Sequence, residues 1–570
     1  MTSSSSPVLT HALSSAPSDG VDRWVALVRQ QQATIQGQQE TIQAQQETIQ
    51  TQQKTIEVLE RQLRQQQERI EQLEAELRAQ KKLKGKPKLG PSRLNEPLPK
   101  TDGESKGKRP GSAKRSKKVG FEIHEERIIP PSAIPDTAKF NGYRDYDVQE
   151  LTLKRHNIRF RLAEYVCEDG TTLVGQLPEE YRHGHYGPLL IGYILYQHYQ
   201  CRVPHPLIHE QLQEWGIDIS TGQVHNLLSE NKESFHAEQQ QVLRVGLETA
   251  SYVHTDDTGA RHQGKNGYCT VIGNAYFTYF RTTTRKSRQS FLETLQGETP
   301  CYVLNEYAQQ YLQSYSLAAK HWQHLTFSAQ VLAQDPVQWQ TYLTSIGIVT
   351  PQAVRLVSEA ALLGGVIERG VDRHLILLSD GAPQFNVLVH ALCWVHAERA
   401  LRRLEGNTRQ QRQNIEEMQQ GLWQYYQQLK AYQQAPTAAG KETLEQAFDQ
   451  CFGRCFLHHA SLNTVLSQFR AHKAELLRML DFPQVPLHNN AGESDIREYV
   501  TRRKVSGGTR SDAGRRARDT FVGLKKTCRK LGLSFWQLLL SRLRGDGQIP
   551  PLPDLIRAMT SGLRQINSPT

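Results

Sequence analysis

His374-Leu-Ile-Leu-Leu-Ser-Asp-Gly381 carries an unbroken apolar run that stops at an acid and a glycine. Such a run is too short for a helix and lacks the alternation of a half-exposed strand, so it predicts a strand buried on both faces, inside a sheet covered by helices on either side. Asp380 then leaves the end of a rigid backbone. Upstream, Ala250-Ser-Tyr-Val-His-Thr-Asp-Asp-Thr-Gly259 is β-prone and is expected to end at Asp256, before a turn at Thr-Gly. Alternation puts Asp256 on the face of His254 and Tyr252, and Asp257 on the other. Downstream, Leu487-His-Asn-Asn-Ala-Gly-Glu-Ser-Asp-Ile-Arg497 reads as a helix start, with Asn490 as cap and Glu493 in the first turn, near the positive end of the helix dipole. Taken singly, Asp380 is a turn residue and Glu493 a capping acid or a partner for Arg497. Together, and followed by a basic stretch, the three carboxylates suit divalent metal ions held against a phosphodiester.

Further strands are expected at Tyr268–Gly273 and Ala275–Arg281, a helix at Ser287–Leu295, and a helix bearing Trp394 and His396. The class is therefore α/β. Asp380 stands 124 positions after Asp256, and 297–372 in that interval read as a mostly helical insertion. Glu493 stands 113 positions after Asp380, far enough for a folded helical insert at 401–485. The core is thus split into 246–400 and 486–545, with a C-terminal tail at 546–570. Ahead of it, 186–245 is helical and contains a helix-turn-helix pattern, Leu207–Trp215 and Ser220–Leu228, though no Lys or Arg stands between Ser220 and Glu230 to read bases. A small β-containing module is expected at 121–185.

The N-terminal region has its own grammar. After a disordered start at 1–20, Val28, Ile35, Ile42, Ile49, Ile56, Leu63, Ile70 and Leu77 recur every seventh residue, the seam of a coiled coil over 21–80. Gln at 38, 45, 52 and 66 makes the companion seam half polar, which sets register and oligomer order at a cost in stability. A flexible basic linker follows at 81–120, with Lys81, Lys82, Lys84, Lys86, Lys88, Lys114, Arg115, Lys117 and Lys118. Residues 78–118 hold 15 Lys or Arg against 3 acids, a net of +12 in a chain whose total is +11. The excess charge lies in that arm, which is expected to track phosphates and release counterions. A second patch, 497–530, holds 12 Lys or Arg against 3 acids and includes Arg497, Arg502, Arg503, Lys504 and Arg510, the expected DNA contacts beside Glu493. The sequence offers no run of 18 apolar residues and no leader pattern, so a cytoplasmic protein is expected; its eight cysteines form no disulfide framework.

The strings His254-Thr-Asp-Asp-Thr258, Ser379-Asp-Gly381 followed by Cys393-Trp-Val-His-Ala-Glu-Arg399, and Asn489-Asn-Ala-Gly-Glu-Ser-Asp-Ile-Arg497 resemble the three blocks of DDE transposases of the insertion-sequence sixty-six type. The basic loop Arg502–Arg510 before the helical stretch Phe521–Leu543, and the segments Tyr186–Leu195 and Val203–Leu212, are similar to parts of the same family, so the likeness runs over about 120–545. It implies a ribonuclease H-like core with helical insertions, preceded by the coiled coil, the linker and a helical DNA-binding region. It implies Asp256, Asp380 and Glu493 as catalytic ligands of two Mg²⁺ ions, or Mn²⁺. Asp257, His254 and His396 would be neighbours or alternatives. The partners implied are transposon ends, target DNA, further copies of the chain, as a homodimer or higher oligomer through the coiled coil, and accessory proteins of the element, on a prokaryotic nucleoid. The cysteine-rich zinc module common in the family is reduced to Cys167 between 121 and 200, so no zinc is expected.

Overall fold

The computed structural model describes residues 27–53, 55–56, 58, 92, 94 and 122–566 except 134, 137 and 183. Two compact units result, 1–88 and 89–570. In the first, residues 27–53 form a helix with every residue exposed, including the heptad positions Val28, Ile35, Ile42 and Ile49 at 50–54%.

The second unit is built on a five-stranded mixed sheet: β1 (Tyr252–His262), β2 (Lys265–Gly273), β3 (Thr278–Thr283), β4 (Ile376–Ser379) and β5 (Val389–Leu392), in the order β3-β2-β1-β4-β5. The first three form an antiparallel meander, while β4 and β5 run parallel to β1. Residues of β1 to β4 divide between two cores. Val253, Ile272, Tyr279 and Leu377 join helices α1 (Glu233–Thr249), α2 (Arg288–Gln296) and α3 (Pro351–Glu368), through Val242, Phe291 and Ala360 among others. On the opposite face, Cys269, Val271 and Phe280 meet Ile496 and Tyr499 of α5 (Asn490–Ser506) and Val522 of α6 (Asp512–Lys530), and Ile376 and Leu378 meet Val485. Sheet burial on both sides is why β4 is apolar up to Ser379, whose buried hydroxyl is bonded to His390.

Four expectations change. β1 does not end at Asp256. It runs on to His262, because Asp256, Asp257 and Thr258 pair across to Val271, Thr270 and Cys269 and the turn comes only at Gln263-Gly264. The stretch between β3 and β4 is helical as expected but adds a small antiparallel pair, Tyr302–Val303 with Val331–Ala333. Among the described residues, the expected module at 121–185 contributes the hairpin Glu164–Val166 with Thr172–Val174 and a 3-10 turn at Glu179–Tyr181, the rest being irregular and largely exposed. The tail at 546–570 contains helix Leu552–Ile566, whose Leu552 and Ile556 are buried with the α1 core.

The segment between Asp380 and Glu493 is all-helical after β5: α4 (Trp394–Arg402), then Arg409–Gln434, Ala438–Phe452 and Ala460–Ala471. It owns a separate core of Trp394, Leu422, Tyr425, Phe448, Phe452, Leu466 and Phe469. Leu94 belongs to the same core, and its carbonyl accepts from Gln427 Nε2 at 2.9 Å. The linker, expected to be free from 81 to 120, is therefore anchored at this residue. The helix-turn-helix pattern becomes helices His205–Glu214 and Thr221–Ser229, the second capped by Ser220 accepting from Gln223 N.

Candidate active site

β1 and β4 are neighbours with His254 opposite Leu378. The ladder stops there, and Asp256 and Asp380 each lie two residues further on, Asp380 just past the end of β4; the two-residue period assigns both to the face that α5 covers, and the charge of Asp380 acts on Asp256. Asp380 closes an Asx turn by accepting from Ala382 N at 3.0 Å, and Gly381 takes φ +92°, which an L side chain resists. Asp257 points to the other face, where Lys286 Nζ lies 2.9 Å from Oδ1 and Gln384 Nε2 donates to Oδ2 at 2.6 Å. It is thus already neutralised and hydrogen-bonded. Among the described residues no cation pairs with Asp256, whose Oδ1 accepts from Asp257 N at 2.7 Å. Burial pushes its carboxyl up to about 7 against that bond, and the charges of Asp380, Asp257 and Glu493 add to the rise.

Glu493 stands in the first turn of α5, and the residue before the helix is Asn489 rather than Asn490. Asn489 is not a side-chain cap. Its Nδ2 donates to Thr255 O at 2.9 Å, one residue from Asp256, and its backbone N–H donates to Cys393 Sγ at 3.1 Å. This buried residue ties the helix of the third acid to the strand of the first through its side chain and to the start of α4 through its backbone. A Cβ on Gly492 would lie 2.4 Å from Asn489 Oδ1, so the glycine in Asn-Asn-Ala-Gly-Glu is a close approach. From α4, Arg399 Nη1 donates to Glu493 Oε1 at 2.9 Å, and His396 Nε2 lies 3.9 Å from the same oxygen. Burial, and the charge of Arg399, lower the His396 pKa. Among the described residues no three His, Cys, Asp or Glu side chains converge closely enough to enclose an ion.

His254 is buried and bonded to Asp495 at 3.2 Å, so it braces α5 instead of facing a substrate. Asp495 also takes Lys526 and Lys530, at 3.2 and 2.6 Å. The second basic patch is in good part internal. Arg502, expected as a DNA contact, is 1% exposed and donates through Nη2 to His198 O and Tyr199 O, both at 2.7 Å. Lys525 pairs with Glu498 at 2.8 Å, as does Arg202 at 2.7 Å. Arg497, Lys504 and Arg510 are exposed and Arg503 half-buried, so these four keep access to solvent. The nine linker cations from Lys81 to Lys118 lie outside the described residues.

Residues 183–326 and 371–517 match the family described as Transposase IS66 family. The chain belongs to that family. All three acids fall within the matched regions, and the break at 327–370 lies within the stretch expected as an insertion. A similar protein is Uncharacterized protein y4jO of Sinorhizobium fredii, 42% identical over 327 residues that cover 56% of this chain and 99% of that one. Among the described residues, no helix of this transposase-family chain is long and apolar enough to cross a membrane.

Proposed function

We propose that the chain cleaves DNA at the ends of its element and joins them to target DNA by 3′-hydroxyl attack, using Asp256, Asp380 and Glu493 on a ribonuclease H-like core. The observation that carries this is the parallel pairing of β1 with β4 up to His254 and Leu378, two residues short of Asp256 and Asp380, on the face covered by α5, whose first turn holds Glu493; the charges of Asp380 and Glu493 act on Asp256. Support for the core comes from the strand order, with an antiparallel meander followed by two parallel strands. The donor set suits a hard divalent cation: it offers only carboxylate oxygens, and Asp256, its pKa raised first by burial, also feels the charges of Asp380, Asp257 and Glu493. Asp256, Asp380 and Glu493 would hold Mg²⁺ or Mn²⁺, which when bound offsets charge on the attacking and leaving oxygens.

The chain's own groups do the rest. The Asp257 N–H and the Asn489 tie fix where Asp256 and Glu493 stand, and Lys286 keeps Asp257 out of competition. Arg497, Arg503, Lys504 and Arg510 supply phosphate contacts beside the acids, with the linker as a second contact. Water attacks the phosphorus at the element's end and breaks its P–O3′ bond, leaving a 3′-hydroxyl; that hydroxyl gives up its proton, forms the joining ester at a target phosphorus and displaces the target strand's own 3′-oxygen. A second copy is recruited through the heptad seam, and the protein works on the nucleoid.

The test incubates wild type and the Asp256→Asn, Asp380→Asn and Glu493→Gln variants with Mg²⁺, a duplex carrying the element's end and a target plasmid. Wild type is expected to yield joined products and each variant none above background. Cutting without joining would make the protein a nuclease, and strand transfer by Asp380→Asn would sink the assignment.

A further inference from the structure

Resting on that reading, we propose that Arg399 is a latch on the third acid: without DNA it holds Glu493 to itself, and a DNA phosphate that takes its guanidinium releases Glu493 toward the two aspartates. Both backbones are fixed. Trp394, at the start of α4, is fully buried, its indole N–H donates to Leu476 O at 3.0 Å and its backbone N–H to Leu487 O at 2.9 Å. Asn489 pins the start of α5 as described. Only the two long side chains are left to move. They meet in a two-pronged contact, Arg399 Nη1 to Oε1 at 2.9 Å and Nη2 to Oε2 at 3.4 Å.

The latch is accessible and exchangeable. Arg399 is 27% and Glu493 20% exposed, so the pair faces water, where ion pairs are weak and an incoming anion can compete. A guanidinium fork fits the oxygens of a phosphodiester as well as those of a carboxylate. His396 stands beside it: Arg399 Nη1 lies 3.2 Å from His396 Nε2, and a donation there leaves the ring proton on Nδ1, a buried atom with no hydrogen-bond partner among the described residues. In the latched state the three acids do not enclose an ion, as observed. Arg399 is thus a positioning residue that makes completion of the acid cluster depend on DNA.

Calorimetric titration of the full chain with Mn²⁺, with and without a short duplex of arbitrary sequence, tests this. Without DNA, Arg399→Gln is expected to bind Mn²⁺ about two- to fivefold tighter than wild type, the range that breaking a half-exposed ion pair allows. Duplex should tighten wild type toward the variant and leave the variant unchanged. Arg399→Lys, which keeps the charge but not the fork, should fall between and serves if the glutamine variant does not fold. Variants that bind Mn²⁺ no tighter than wild type, or a duplex that tightens all of them equally, would overturn the latch. If wild type binds no Mn²⁺ in either condition, or Asp380→Asn binds it as well as wild type, the metal reading itself fails.

Discussion

Asp256 and Asp257 are adjacent in sequence and opposite in circumstance. One is bonded to Lys286 and Gln384; the other is buried among acids, its pKa raised to about 7. A raised carboxyl pKa favours folding while the group is protonated, and that contribution is lost as pH rises through about 7. Asp256→Asn is therefore expected to melt higher than wild type at pH 8 in chelator, with the difference closing toward pH 4, in thermal scans at several pH values. Asn489 makes a different prediction. Its removal leaves the Thr255 carbonyl unpaired in the interior, so Asn489→Ala should cost about 1–3 kcal/mol in urea unfolding. It should also cut end cleavage on the order of 10²-fold by letting Glu493 drift, and Gly492→Ala, which collides with Asn489, should act alike. The positions of Asp380 and Glu493 were legible in the sequence because one follows a buried strand and the other stands in a helix's first turn, whereas Asp256 lies within β1 and not at its end. Asn489 and Arg399 were not legible, since their partners lie 234 and 94 positions away. Arg502 misled because charge in sequence does not reveal a buried pair of carbonyls.

Elements differ in how plainly their sequence announces them. β4 was readable from four apolar residues, and the helix-turn-helix from its spacing. The second half of β1 was not, because Asp-Asp-Thr-Gly has turn propensity and only pairing with β2 holds it extended. The helices α5 and α6 carry an ionic strut to the N-terminal helical region. Glu498 meets Arg202 and Lys525, which against the cost of burial hold its pKa down at about 2. A depressed carboxyl pKa contributes stability above the unfolded value and loses it as pH falls toward the folded one. The wild type should thus lose stability between about pH 4.5 and 2, and Glu498→Gln should be less stable at pH 7 with a flatter acid limb, by denaturant unfolding across that range.

At the scale of the whole molecule, two features predict assembly and binding. The exposed heptad stripe of residues 27–53 calls for a second copy, so deleting residues 21–80 should convert an oligomer into a monomer by sedimentation. If the basic linker tracks on the order of 6–10 phosphates, affinity for DNA should fall about 10³- to 10⁵-fold between roughly 50 and 200 mM salt, and far less after deletion of residues 81–118. The pairing of β1 with β4 has a further consequence, in the time domain. Tyr252 faces Ile376, so the central strand of the sheet lacks its neighbour until 124 more residues have been made. At about 5–20 residues per second, that leaves one edge of the hairpin unpaired for roughly 6–25 s on the ribosome. The helical segment before Glu493 can collapse on its own core as it emerges, whereas the sheet cannot. Newly made chains are therefore most prone to aggregate in that window, and slowing initiation, which spaces nascent chains apart, should raise the soluble yield more than any change to the helical segment.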